Sequence, residues 1–116
     1  MFGRIAVAAN FTVQPLAEPL QFWLAELASP AEIAFAEYNQ IFQALLADNS
    51  PLTTNGLGAN VVLVSLGEWR GEATADLVAA VRACADRAPV PHLVVCCPAD
   101  VPRDDSVREA ALVAAF

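Results

Sequence analysis

The residues that could do chemistry sit just after three short apolar runs. Asn10, Phe11 and Thr12 follow Arg4–Ala9, Tyr38, Asn39 and Gln40 follow the run ending at Ala36, and Gly67, Glu68 and Trp69 follow Val61–Leu66. If each run is a parallel strand, the three triplets share its C-terminal edge, where open α/β sheets bind ligands. Thr12 offers a hydroxyl that becomes a nucleophile only with a base in reach. The sole imidazole, His92, stands at the mouth of a different strand. Trp69 offers one indole N–H and a broad apolar surface, with the Glu68 carboxylate beside it. That indole can pack a ligand, the sheet end or a neighbouring domain. Asn10 and Thr12 read equally as a turn and a helix cap, and Tyr38, Asn39 and Gln40 as capping residues that line the same cleft. Three cysteines, Cys84, Cys96 and Cys97, make no disulfide framework and read as buried reduced thiols. Their spacing, with one histidine, makes no zinc site.

The elements that would position these residues follow from periodicity. Asn60–Arg70, NVVLVSLGEWR, is a β-branched run apolar on both faces, the pattern of a central parallel strand closed by Gly67. From Gln14 to Ala28, Leu16, Leu20, Trp23, Leu24 and Leu27 recur at helical spacing. Trp23 is expected in the core, flanked by Phe22. Pro15 suits a first helical turn, and Pro19 delays or bends the start. Ser29-Pro30 ends the helix. Glu32–Ala36 is a second strand, followed by a helix with Ile41, Phe42, Leu45 and Leu46 inward. Residues 48–59 form the longest loop, rich in turn formers and a candidate mobile segment. A helix from about Glu72 to Ala88 turns Leu77, Val78, Val81 and Cys84/Ala85 inward. Val90–Cys97 is a fourth strand, and Asp104–Phe116 a helix with Val107, Ala111 and Leu112 inward. The order βαβαβαβα predicts a three-layer α/β/α domain around a parallel sheet of about four strands, ordered 2-1-3-4. The final helix is not followed by a closing strand, so the expectation is a single domain, 1–116, that belongs to a longer protein or is completed by a partner.

Composition narrows the function. At 57% apolar and 16% charged, the 116 residues suit a globular domain with a modest core. The net charge is −7 and every basic residue is Arg, so a basic face for nucleic acid cannot be assembled. No apolar run approaches the ~18 residues of a membrane span. The first strand tip, Ala9-Asn10-Phe11-Thr12, lacks the glycines of a dinucleotide site, and without Lys there is neither a Walker A loop nor a phosphorelay receiver.

The strand ending VVLVSLGEWR resembles the third strand of SGNH hydrolases, where a Gly is followed by the Asn that helps hold the oxyanion. Trp69 and Arg70 stand where that family has Asn and Asp. Asn10-Phe11-Thr12 occupies the place of its serine, and no Asp-x-x-His occurs. IAVAANFTVQPL, FWLAEL, IAFAEYNQIFQALL and GANVVLVSLGEW together look like the N-terminal SGNH-like domain of FkbH-like proteins of polyketide and nonribosomal peptide assembly lines, over roughly residues 3–70. The resemblance implies an SGNH- or flavodoxin-like fold in a cytoplasmic protein. It implies a non-catalytic structural or interaction module, whose partners are neighbouring synthase domains or a carrier protein. It implies no cofactor on this chain, only the phosphopantetheine of a partner carrier. The family's glyceryl transfer to a carrier thiol uses an Asp-x-Asp strand end in a following domain, which this chain lacks. The alternatives are the N-terminal part of such a glyceryl or acyl transferase, a degenerate SGNH esterase or acyltransferase, and a small-molecule site at the Trp69 edge.

Overall fold

The computed structural model describes residues 3–65, 73–97 and 106–116. Four parallel strands, β1 (Gly3–Ala9), β2 (Ala31–Phe35), β3 (Gly58–Ser65) and β4 (His92–Cys97), lie in the order β2-β1-β3-β4. This is the predicted order. Ile5 pairs with Ile33 and Ala59, and Val61 with Leu93, all parallel. The helices are α1 (Ala17–Glu26), α2 (Ile41–Leu46), α3 (Ala73–Arg87) and α4 (Ser106–Ala115).

The two sheet faces are covered unequally. Ala6, Ala8, Val62 and Val64 point to one face and pack with Ile41 and Leu45 of α2, Leu77, Val81 and Cys84 of α3, and Leu112 of α4. Val7 and Ala9 point to the other face and cluster with Val13, Phe11, Phe35, Val61 and Leu63. Only α1 among the described helices lies on that second side, where its Leu24 lines a hollow with Ile5 and Ala59. The chain steps one way across the sheet from β1 to β2 and the other way from β2 to β3 and β4, and right-handed crossovers then put α1 opposite the other helices.

The helical stripe of α1 is therefore not a buried one. No residue of α1 is fully buried, and Phe22, Trp23 and Leu27 are 56%, 60% and 69% exposed. Trp23 is not core, contrary to its periodicity. Its ring meets Phe22 edge to face, centroids 5.4 Å apart. The reason is topological: α1 leads to the edge strand β2 and touches it, so much of its surface has no second layer above it. Leu46, Val107 and Ala111 are likewise exposed rather than inward, because α2 stops at Leu46 and α4 commits Leu112 to the core.

The prolines act as their chemistry requires. Pro15 lies in a 3-10 turn, Gln14–Leu16, and Pro19 falls in the first turn of α1, where N–H groups have no intrahelical acceptor. The helix ends in a Schellman turn. Ser29 N donates to Leu24 O (2.9 Å) and Ala28 N to Ala25 O (3.1 Å), with Ala28 at φ 51°. Alanine pays a steric penalty there that glycine avoids. Ala28→Gly should stabilise the fold by about 1 kcal/mol, seen as a higher midpoint in urea or thermal unfolding.

The long loop is tied to the domain by side-chain hydrogen bonds. Leu52 is fully buried, and Ser50 Oγ donates to Ala44 O while Thr53 Oγ1 donates to Ala47 O (2.6 Å). These hydroxyls satisfy carbonyls at the end of α2 that the helix itself leaves open. Arg4 reaches Pro51 O and Thr54 Oγ1, each at 3.2 Å, and ties the loop to β1.

Candidate functional site

The parallel ladder carries the tips of β1, β2 and β3 to one edge, so Asn10–Thr12 and Tyr38–Gln40 lie along the same rim. Asn10 is buried and clamps this rim. Its Nδ2 donates to Ser65 O (3.0 Å), and its Oδ1 accepts from Ser65 N (2.8 Å). The side-chain amide thus imitates one more pair of ladder bonds between β1 and β3. Both ends of the amide are in use, so Asn10 is a structural clasp at the tip of β1. Phe11 is half-buried and packs on the Val7–Ala9–Val13 cluster. Thr12 is exposed and caps no helix: Val13 and Leu16 occupy the N-cap positions of the turn and of α1, without side-chain caps.

Tyr38, Asn39 and Gln40 are exposed. Asn39 takes φ 54°, a left-handed conformation that asparagine tolerates better than most residues. Gln40 is the N-cap of α2, but its backbone carbonyl, not its side chain, receives the bond, from Ala44 N at 2.9 Å. Gly67, Glu68 and Trp69 lie outside the described residues. Among the described residues the rim is therefore a locked amide, an exposed hydroxyl and a polar turn.

No imidazole meets that hydroxyl. His92 opens β4 and pairs in register with Asn60, near the start of β3, at the opposite end of the sheet from Thr12. There it belongs to a buried polar cluster that periodicity did not reveal. Asn60 Nδ2 lies 2.9 Å from Leu52 O and 3.1 Å from His92 Nε2, and Asn60 Oδ1 accepts from Asn55 Nδ2 at 2.9 Å. His92 Nδ1 is 2.9 Å from Val90 O, which requires the proton on Nδ1 and leaves Nε2 as an acceptor. Cys84 Sγ lies 3.3 Å from that nitrogen. The one sequence signal for this cluster was asparagine at the head of an apolar strand, a costly choice unless its amide is satisfied.

The cysteine–histidine–asparagine combination has the residue types of a thiol nucleophile with its base, but not the exposure. Cys84 is fully buried, and that burial pushes its thiol above its ordinary value, only partly offset by the Arg87 charge and the Asn60 hydrogen bond. Burial first also raises Cys96 and Cys97, which are half-buried and unpaired with any other cysteine. A thiol raised in the fold keeps its proton to higher pH than in the unfolded chain. Its contribution to stability is therefore full below the unfolded thiol value, about 8.5, and is lost as pH rises through the folded one. The urea midpoint should be lower at pH 9.5 than at pH 7.5. Alkylation of Cys84 by iodoacetamide should be about 100-fold slower in native than in unfolded protein, followed by mass spectrometry.

Among the described residues, no group of three or more His, Cys, Asp or Glu could hold a metal ion, and no helix is long and apolar enough to cross a membrane. Neither a scan against protein-family models nor a search of the curated proteins returns a match to this chain.

Proposed function

We propose that this domain is a non-catalytic SGNH-like module, cytoplasmic, that docks within a polyketide or nonribosomal peptide synthase system, on a neighbouring domain or on a carrier protein bearing phosphopantetheine. The observation that carries the reading is the outer side of α1. Phe22 and Trp23 of α1 and Leu27, its C-cap, stay more than half exposed, and clustered apolar and aromatic side chains left in water mark contact surfaces. The rim supports the non-catalytic half: Asn10 spends its amide on Ser65, and Thr12 is remote from the only imidazole.

Two measurements test the reading. Short-chain p-nitrophenyl esters and acyl-phosphopantetheine thioesters should show no turnover above buffer; turnover that disappears in Thr12→Ala overturns the non-catalytic half. Titration calorimetry with the phosphopantetheinylated carrier protein and with the adjoining synthase domain should show saturable binding to one of them. Trp23→Glu should weaken it about tenfold or more, as loss of an aromatic anchor does. Absence of binding to both, or binding indifferent to Trp23→Glu, removes the docking half.

A further inference from the structure

A cavity of about 380 Å³ opens between α3, α4 and the helix-covered face of β4, far from the surface of α1. Val81 and Ala85 form one wall, Val94 the floor, and Leu112, Val113 and Phe116 the other wall. Its size lies within the range of small-molecule pockets, whose usual make-up is an apolar body with a few placed polar groups. Leu112 is buried and anchors α4, yet Val113 and Phe116 beside it are 73% and 55% exposed. The wall therefore keeps apolar surface in water that an occupant would cover.

The polar groups of the lining decide the class of occupant. His92 lines the cavity, but both its ring nitrogens are already engaged, by Val90 O and by Asn60 with Cys84, so it contributes ring surface and no open hydrogen bond. Cys96 also lines it; burial, ahead of the Glu109 charge, keeps its thiol neutral. Arg82 supplies the formal positive charge at the mouth. Its Nη2 donates to Ala115 O at 2.9 Å, which straps α3 to the last turn of α4 and leaves the other guanidinium N–H groups unspent in that bond. A planar fork of this kind pairs with carboxylate in two parallel bonds. In a chain of net charge −7, Arg82, the cation among the described lining residues, favours an anion with an apolar body.

We propose that this cavity binds a small monocarboxylate whose apolar part, on the order of eight to ten carbons at ordinary packing density, fills the space between α3 and α4 while Arg82 holds the carboxylate. The proposal rests on the cavity alone and stands apart from the docking of α1.

Titration calorimetry on the full chain with octanoate, octanol and octylamine tests it. Octanoate should bind saturably and about tenfold more tightly than octanol, the gain of one charge-assisted pair, with octylamine weakest. Arg82→Gln should reduce octanoate to the affinity of octanol and leave octanol unchanged. Ala85→Trp should abolish binding of octanoate and octanol by occupying the cavity. If circular dichroism shows that variant to be unfolded, Val113→Trp does the same from the opposite wall. Failure of octanoate to saturate, equal affinity for octylamine and octanoate, or binding untouched in the folded tryptophan variant overturns the proposal.

Discussion

Gly58→Ala should destabilise the domain by about 3–4 kcal/mol, a large part of the ~5–15 kcal/mol that holds a chain of this size together. Gly58 opens β3 at φ 120°, where an L side chain is strained before any contact is considered. A Cβ there would overlap Arg4 O and lie 2.6 Å from Arg4 N. Both are backbone atoms of the neighbouring strand, so the side chain has nothing flexible to displace. Relief requires β3 to move off β1 where Arg4 N donates to Leu57 O at 2.7 Å and Arg4 pairs with Gly58. The loss then spreads into the register that carries Asn10 to Ser65 at the far end. Gly56, two residues earlier, is the control. A Cβ on it meets nothing within 4 Å, so Gly56→Ala should stay within about 0.5 kcal/mol of the parent. Urea unfolding of the two variants side by side decides it; equal midpoints would mean that the close approach of the strands is not a constraint.

This constraint was invisible in the sequence, where Gly56 and Gly58 are two glycines of one turn-rich loop. What was legible was the period of the pattern: runs apolar on both faces gave parallel strands, and the alternation of strand and helix gave the order 2-1-3-4. Which side of a helix meets the sheet was less legible. The stripe through Trp23 and Leu27 has helical spacing, but spacing records apolarity and not whether a second layer lies above it. At the rim, Asn10 could be read as a turn residue or a cleft residue, and only the ladder register brings it to Ser65, 55 residues away. The loop of turn formers looked mobile because serine, threonine and asparagine favour local bends. The same groups, once buried, become the caps of α2 and the donors of the Asn55–Asn60 pair.

That pair leads to the other large effect. Asn60→Ala should cost about 3 kcal/mol, more than the lost side-chain volume alone would, because it takes hydrogen bonds from several polar groups that water cannot reach. Asn60 is fully buried. Its removal takes the donor from Leu52 O, an acceptor from Asn55 Nδ2 and one of the two donors facing His92 Nε2. Asn55 retains Arg4 O and Ala59 O as acceptors, and Leu52 O loses its 2.9 Å side-chain bond and keeps only the longer one from Asn55 N, at 3.3 Å. Asn60→Leu separates volume from polarity. It fills the same space, so if packing were the issue it would restore stability. If satisfaction of the buried polar groups is the issue, it should be no more stable than Asn60→Ala. A double-mutant cycle with His92→Phe completes the test. Asn60 and His92 are adjacent in register and 3.1 Å apart at their side chains, so the two losses should fall short of additivity by about 1 kcal/mol. Additive losses, or an Asn60→Leu variant as stable as the parent, would reduce the cluster to ordinary core packing at the head of β3.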